Sequence, residues 1–215
     1  MSMCKRVVFS RKIIFFGCFC VLVSVLPSCS SGNLPVAKLA EADLKSIPLK
    51  AEGLENFYKV SDKLYRSAQP SREGFRSLQT MGVTNVLNLR NYHSDEDESE
   101  GTDLNLLRRR MNAGSITEDD LRESLKMIRD AEGPVLVHCW HGSDRTGAVC
   151  AAYRIVFENW SVESALDEMF YEPFGHHRRI YTNIPELIRS MDWDAMCFEM
   201  SVSPHCCEIG HVRQK

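Results

Sequence analysis

Pro134-Val135-Leu136-Val137-His138-Cys139-Trp140-His141-Gly142-Ser143-Asp144-Arg145-Thr146-Gly147 is the stretch from which the rest of the chain can be read. Its opening is a short β-branched run of the kind that fills a central strand buried on both faces. Gly147 to Phe157 is apolar nearly all round, which predicts a buried helix. Between them lies a loop that starts at Cys139 and ends at Arg145, with five residues between. A loop joining a strand end to a helix N-terminus presents converging backbone N–H groups, and the helix dipole favours an anion there.

Cleavage of a phosphate ester by a thiolate needs such a setting. The attacking sulfur must be ionised near neutral pH, which requires positive surroundings, and the phosphoryl oxygens need donors already aimed at them. Cys139 is the candidate nucleophile. Arg145 can fork its guanidinium onto two phosphate oxygens, which lysine cannot do. Gly142 suits a sharp loop where a side chain would obstruct the phosphate or demand an unfavourable φ. Thr146 is placed to hydrogen-bond the sulfur and ease its departure, and His138 to hold the loop shape through its ring. Trp140, His141, Gly142 and Ser143 make up the substrate-facing loop, with His141 directed at a substrate phosphate or its neighbour and Trp140 at packing. A chance Cys-x5-Arg, or a merely buried thiol, is the bland reading. The strand before the loop, the glycine within it and the apolar helix after it count against that.

Working outward, Lys59 to Tyr65 is expected to form a strand closed by the Ser67-Ala68-Gln69-Pro70 turn. Ser71 should cap a helix that stops at Gly82, and Val83 to Leu89 should form another strand. His93 to Asp103, with Asp95, Glu96, Asp97, Glu98, Glu100 and Asp103, reads as a solvated acidic loop in preference to a metal site. Leu104 to Met111 is a further strand candidate. Thr117 caps a helix running to Ala131, with Asp120 at the capping-box position. Ser161 begins a helix to about Phe170, and Ile184 to Met191 makes another. Strands alternating with helices predict an α/β fold around a mostly parallel central sheet flanked by helices.

The N-terminus reads differently. Lys5, Arg6, Arg11 and Lys12 precede Ile13 to Leu26, 14 residues without a charge. That run is shorter than the roughly 20 residues a membrane-spanning helix needs, so residues 1–28 are expected to be an export signal. Leu26-Pro27-Ser28-Cys29 resembles a bacterial lipobox, which makes Cys29 the expected lipidation site. Residues 29–56 then read as tether and lead-in, 57–195 as one catalytic domain, and 196–215 as an irregular tail. Residues 1–28 carry four of the 26 basic side chains and no acidic ones. The rest of the chain has 22 Lys and Arg against 29 Asp and Glu, a net charge of about −7. That balance excludes nucleic acid or an anionic membrane as a general partner, so an anionic substrate must be captured by a local positive site. Of the nine cysteines, Cys4, Cys18, Cys20 and Cys29 belong to this N-terminal region. Cys139, Cys150, Cys197, Cys206 and Cys207 remain, and Cys150 lies in an apolar helix pattern expected to bury it. The spacing of His205, Cys206, Cys207 and His211 fits no common zinc pattern, and no metal or other cofactor is expected.

The stretch from His138 to Gly147 resembles the Cys-x5-Arg-(Ser/Thr) signature of protein tyrosine and dual-specificity phosphatases. Leu64-Tyr65-Arg66-Ser67-Ala68-Gln69-Pro70 and Val86-Leu87-Asn88-Leu89-Arg90 are similar to the compact dual-specificity-like branch found in bacteria, plants and fungi. The resemblance covers roughly residues 57–192 and implies a protein tyrosine phosphatase-like fold. It also implies an aspartate acid on a loop well before the cysteine, yet the corresponding stretch, Leu104 to Gly114, has Asn112 and no Asp or Glu. Asp144 is one substitute, since an aspartate just before the loop arginine is similar to the arrangement in myotubularins and Sac-type phosphatases. Glu118 and Asp119 are others, although acidic residues in a first helical turn explain themselves.

The expected activity is hydrolysis of phosphomonoesters through a cysteinyl-phosphate intermediate, on a phosphorylated protein or a small anionic phosphate ester. An inositol polyphosphate or phosphoinositide is the rival substrate class, favoured by Asp144 and by the basic run His176-His177-Arg178-Arg179. A phosphate-binding module without turnover is the rival of another kind. Rhodanese-like sulfur transfer has no call for the Arg145-Thr146 ending. The expected location is the cell envelope, held to a membrane by the lipid on Cys29.

Overall fold

The computed structural model of the protein describes residues 46–200. The expected signal over 1–28, Cys29, the first part of the tether and the tail beyond Met200, including Cys206 and Cys207, lie outside the described residues. In chain order the elements are β1 (Ile47–Pro48), β2 (Tyr58–Lys59), β3 (Leu64–Ser67), α1 (Arg72–Thr80), β4 (Asn85–Asn88) and β5 (Asn105–Arg108). They continue with α2 (Glu118–Asp130), β6 (Val135–His138), α3 (Asp144–Glu158), α4 (Val162–Met169), α5 (Asn183–Ser190) and α6 (Trp193–Glu199). One six-stranded sheet runs in the order β1-β2-β3-β6-β4-β5. β3, β6, β4 and β5 pair in parallel, and β1 and β2 add an antiparallel edge.

β6 is central because it has no polar face. Val135 and Val137 point into one core with Leu64, Leu87 and the helices α2, α3 and α5, while Leu136 points into the other with Val86, Phe75 and Leu78. That alternation is the period of two expected of a strand buried on both sides. Every residue of β6 is buried, as is every residue of β4 beside it. The chain passes from β3 to β4 over the place that β6 later fills. The register aligns Ser67, His138 and Asn88 at the carboxyl ends of three neighbouring strands. A crevice outside such ends is where parallel sheets hold ligands.

The expected Lys59–Tyr65 strand is instead a hairpin. Ser61 Oγ accepts from the amides of Lys63 (3.1 Å) and Leu64 (3.0 Å), turning the chain between β2 and β3. The helix boundaries follow the caps read from the sequence. Ser71 caps α1, Thr117 and Asp120 form a capping box on α2, and Ser161 caps α4.

The fold also extends beyond both expected limits. From Ser46 onward the lead-in is part of the sheet, and Leu54 and Phe57 are buried in the second core. Ser46 donates through its amide and hydroxyl to Glu168 Oε1 (2.8 and 3.1 Å), and Glu168 is held by Arg154 through Nε (2.9 Å) and Nη2 (2.8 Å). At the other end Asp192 caps α6, and Met196, Cys197 and Met200 pack into the main core. Neither extension has enough length for a periodic signal, and each is recruited by tertiary contacts.

Arg154 is 1% exposed and shared between Glu168 and Glu158. Removing one partner of a buried ion pair leaves an uncompensated charge, which is far costlier than the pair itself is worth. Glu168→Ala is therefore expected to lower unfolding stability by about 3 kcal/mol, the low end for such pairs because Glu158 remains. Urea unfolding checks it, and a loss below about 1 kcal/mol would place the pair among weak surface bridges.

Candidate active site

The loop from His138 to Ser143 has its carbonyls tied from outside. The Leu89 amide donates to His138 O (3.0 Å), and His138 Nδ1 lies 3.2 Å from Cys139 O. The Gln69 amide donates to Trp140 O (3.1 Å), Asn56 Nδ2 to His141 O (2.8 Å), and Arg66 Nη2 to Gly142 O (2.7 Å). Ser143 O takes the Gly147 amide (2.8 Å) at the start of α3. Because each peptide is planar and trans, fixing a carbonyl outward turns the following N–H inward. The amides of Trp140, His141, Gly142 and Ser143 donate to no group among the described residues. Ser143 stands at the N-cap of α3 without a side-chain cap, so the first turn of that helix is likewise uncapped. The loop that begins at Cys139 therefore carries a run of unspent donors.

Gly142 shows why the loop needs its residue types. Its φ is +71°, and a Cβ there would stand 2.5 Å from Ser67 O and 2.7 Å from Ala68 N. Arg66, fully buried and stacked 3.8 Å over the Phe174 ring, braces the same turn from beneath. His138 is buried, its Nε2 2.8 Å from Asp95 Oδ2, and Gln69 Nε2 donates to the other Asp95 oxygen (2.9 Å). Burial alone would push the Asp95 carboxyl up. The bond and charge of His138, with the Gln69 bond, outweigh it and hold the group below the ordinary carboxylate range. Asp95 therefore departs from the solvated acidic loop read from sequence: it is buried, while Glu96 and Asp97 beside it are exposed.

The crevice above the loop is a cavity of about 590 Å³. Cys139, Trp140, His141, Asp144 and Arg145 form its floor; Arg90 to His93, Met111 to Ala113, His177, Ile180 and Tyr181 form its walls. Arg90 stacks on the Trp140 ring at 4.1 Å and donates to Gln69 Oε1 (2.8 Å). Burial, together with the like charge of Arg145, lowers Arg90 from its ordinary value, with Asp95 opposing. Two guanidinium groups thus meet where an anion would sit. Thr146 is fully buried with its hydroxyl unpaired, and Cys150, one helical face away in the core, has its thiol pushed up to about 11 by burial.

Asp144 faces away from the role of acid. Its Oδ1 accepts the His177 amide (2.9 Å) and its Oδ2 meets His177 Nδ1 (2.9 Å). His176 Nδ1 stands 2.9 Å from Oδ1, within ion-pair distance but outside hydrogen-bond geometry. Burial raises this carboxyl, but the two histidines together outweigh it and hold it below the ordinary carboxylate range. Such a group is ionised near neutral pH and has no proton to give. Glu118 and Asp119, the other candidates, are ion-paired to Arg122 on α2 and to Arg109 just after β5, and neither lines the cavity. Asn112 does line it, but its side chain caps the turn at Gly114. The basic run at 176–179 is divided by the fold. His177 lines the cavity, the His176 ring is buried, and Arg178 stacks on Phe170 and donates to its carbonyl.

Asp95, Arg66, Gln69 and Asn56 act on the loop from distant segments, and no local pattern marks them. His93, Asp95 and Glu98 place their donor atoms within 4.8 Å of one another, a metal-compatible spacing. Both oxygens of Asp95 are already hydrogen-bonded, to His138 and Gln69, and His93 Nε2 stands 3.0 Å from Glu98 outside hydrogen-bond geometry.

The chain is similar to known proteins. A model of the tyrosine phosphatase family matches residues 53–197. The dual specificity protein phosphatase TpbA of Pseudomonas aeruginosa is 31% identical over 166 residues, 74% of either chain. Its crystal structure in complex with phosphotyrosine superposes with a TM-score of 0.67 at 27% identity, covering 75% of this chain and 99% of that one. Inositol diphosphatase DSP2 of Oryza sativa subsp. japonica is 30% identical over 129 residues, 56% of this chain and 62% of that protein.

Gly142→Ala tests the loop geometry. A Cβ there meets backbone that cannot yield, and left-handed strain of about 1–3 kcal/mol is added. Vanadate binding is expected to weaken about tenfold or more, each 1.4 kcal/mol being a factor of ten. Titration of the variant by calorimetry checks it; unchanged affinity would mean the loop amides are not set by this turn.

Proposed function

The chain belongs to the tyrosine phosphatase family, and from that premise we propose how its residues share the hydrolysis of a phosphate monoester. It is a phosphatase of the tyrosine and dual-specificity kind. In the proposed mechanism Cys139 Sγ attacks phosphorus as an anion. The S–P bond forms as the P–O bond breaks, and the bonding pair leaves on the alcohol or phenol oxygen, which takes up a proton. The amides of Trp140 to Ser143 and the Arg145 guanidinium bind the equatorial oxygens, whose charge is greatest in the transition state. Water then attacks the phosphocysteine, and the Thr146 hydroxyl donates to the sulfur as it departs. Two displacements replace one difficult step. The observation that carries this reading is the outward anchoring of six successive carbonyls, which leaves the loop amides unspent around Cys139.

For substrate, phosphotyrosine in a protein comes first. Trp140, more than half exposed, and Tyr181 both line the cavity and suit a flat aryl group. A second reading, an inositol diphosphate or polyphosphate, is supported by Arg90 beside Arg145, two cations for adjacent phosphates, and by the likeness to the rice enzyme. Steady-state turnover of a phosphotyrosyl peptide and an inositol diphosphate at equal concentration separates them, the higher kcat/KM deciding.

Cys139→Ser is expected to abolish turnover of p-nitrophenyl phosphate while retaining vanadate binding, and EDTA to leave the wild type unchanged. Arg145→Lys keeps the charge but loses the fork, and kcat should fall about 10²-fold or more, as when one oriented transition-state donor is removed. A strict need for added divalent metal, or near-wild-type Arg145→Lys, would overturn the mechanism.

The location is a separate proposal, supported by the charge and apolar pattern before Cys29. The protein works outside the cytoplasm, tethered by lipid on Cys29. The wild type should partition into detergent and incorporate labelled palmitate, and Cys29→Ala should do neither. Recovery of the wild type as an unacylated soluble protein would refute the anchor.

A further inference from the structure

The cavity has a nucleophile and a phosphate clamp but no carboxylic acid free to protonate the leaving group. Asp144 is the sole carboxylate lining it among the described residues, and both its oxygens are engaged by histidines. The fold supplies a different donor at that place. His177 reaches the wall beside Cys139 and Arg145, yet it is 32 residues past Arg145 in sequence.

We propose that His177 is the general acid of this phosphatase and that Asp144 is its positioning residue. The assignment rests on the phosphatase reading of the Cys139 loop and deepens it. An Asp144 carboxylate can only accept hydrogen bonds, so the His177 Nδ1 at 2.9 Å must carry a proton and donate it. The same carboxylate takes the His177 amide, fixing main chain and ring together. With Nδ1 committed, Nε2 is the ring's remaining site for gaining or losing a proton, and it makes no hydrogen bond among the described residues. The ring is 42% exposed, open to the cavity. Facing it are Asp144 from α3, the His141 ring at 5.9 Å, Tyr181 at 6.2 Å and, across the floor, Arg145. A ring oriented through one nitrogen by a carboxylate, with the other turned to the reacting group, is how imidazole serves as acid and base.

The other two cavity histidines lack this arrangement. His93 Nε2 stands 3.0 Å from Glu98 but outside hydrogen-bond geometry, so no carboxylate bond orients its ring. The His141 ring has no hydrogen-bonded partner to orient it among the described residues, meeting only the rings of Trp140 and His177.

In the first step Sγ–P forms and P–O breaks, and the electron pair on the leaving oxygen takes the proton from Nε2 of the imidazolium. In the second step Nε2, now neutral, removes a proton from the attacking water, and the pair of the breaking S–P bond returns to Cys139. The histidine ends protonated as it began, and the net consumption is one water. This route also accounts for the aspartate before Arg145: it acts on the ring, not on the substrate.

The test compares leaving groups in the full enzyme. General acid catalysis is worth on the order of 10²–10⁴-fold. His177→Gln should lose about that much kcat/KM, which reports the step that expels the leaving group, on a phenyl or alkyl phosphate, whose poor leaving groups need a proton. Its kcat/KM on p-nitrophenyl phosphate, whose phenolate departs unaided, should change little, while loss of the base that activates water lowers kcat on every substrate. The basic limb of the kcat/KM profile on phenyl phosphate should flatten in His177→Gln, and vanadate affinity should stay near wild type. Asp144→Asn should show the same leaving-group dependence, and adding it to His177→Gln should cost little more of that dependence. Equal losses of kcat/KM on all leaving groups, or a leaving-group effect that follows His141→Gln instead, would overturn the assignment. Failure of the wild type to turn over p-nitrophenyl phosphate at all would strike the underlying phosphatase reading, not His177.

Discussion

The active loop depends on one constraint: its carbonyls must face outward. A tight loop of free backbone would satisfy its polar groups internally or with water, and its amides would scatter. Here Leu89, His138, Gln69, Asn56, Arg66 and the first turn of α3 each hold one carbonyl between His138 and Ser143. The peptide planes then have no choice about where their N–H groups point. The buried strand β6 fixes one end of the loop and the buried helix α3 fixes the other. Preorganised donors of this kind cost no reorganisation when charge develops on the phosphoryl oxygens.

Those braces come from places far apart in the chain, which explains features that otherwise look incidental. Asn56 belongs to the segment between β1 and β2, a segment anchored through Ser46 to the buried Arg154–Glu168 pair. Among the described residues Arg66 is buried without an ionic partner of its own, and it is held by the Gly142 carbonyl and the Phe174 ring. Gln69 joins three parts of the site at once, through the Trp140 carbonyl, Arg90 and Asp95. Each brace is a modest interaction, but loss of any one frees a peptide plane beside the sulfur.

Charge is arranged as carefully as shape. The chain is net negative, and its cavity is positive, with Arg90, Arg145 and the uncapped start of α3 around Cys139. The acidic residues nearby are spent: Asp95 on His138, Glu98 on His93, and Asp144 on His176 and His177. An anion entering the crevice therefore meets donors and cations, and each of these carboxylates has a histidine ring beside it.

Local sequence determined a good deal. Strand β6, helix α3 and the Cys139-to-Arg145 loop between them were legible from their residue types alone, as were the caps at Ser71, Thr117 and Ser161. Each is a short-range effect: burial on two faces selects β-branched residues, and an orphan N–H at a helix start selects a hydroxyl or carboxylate. What the sequence could not assign is which polar residues become buried. Asp95 sits in an acidic run and looks solvated, yet the fold carries it under the loop to His138, 43 residues away. Asp144 looks like an acid beside the clamp, but His177, 33 residues further on, takes both of its oxygens. The basic run that begins at His176 looks like one surface feature, and the turn after Phe174 sends its members in different directions. A side chain's protonation state and partners depend on what is close in space, and only the parallel sheet, by bringing the ends of β3, β4 and β6 together, decides that.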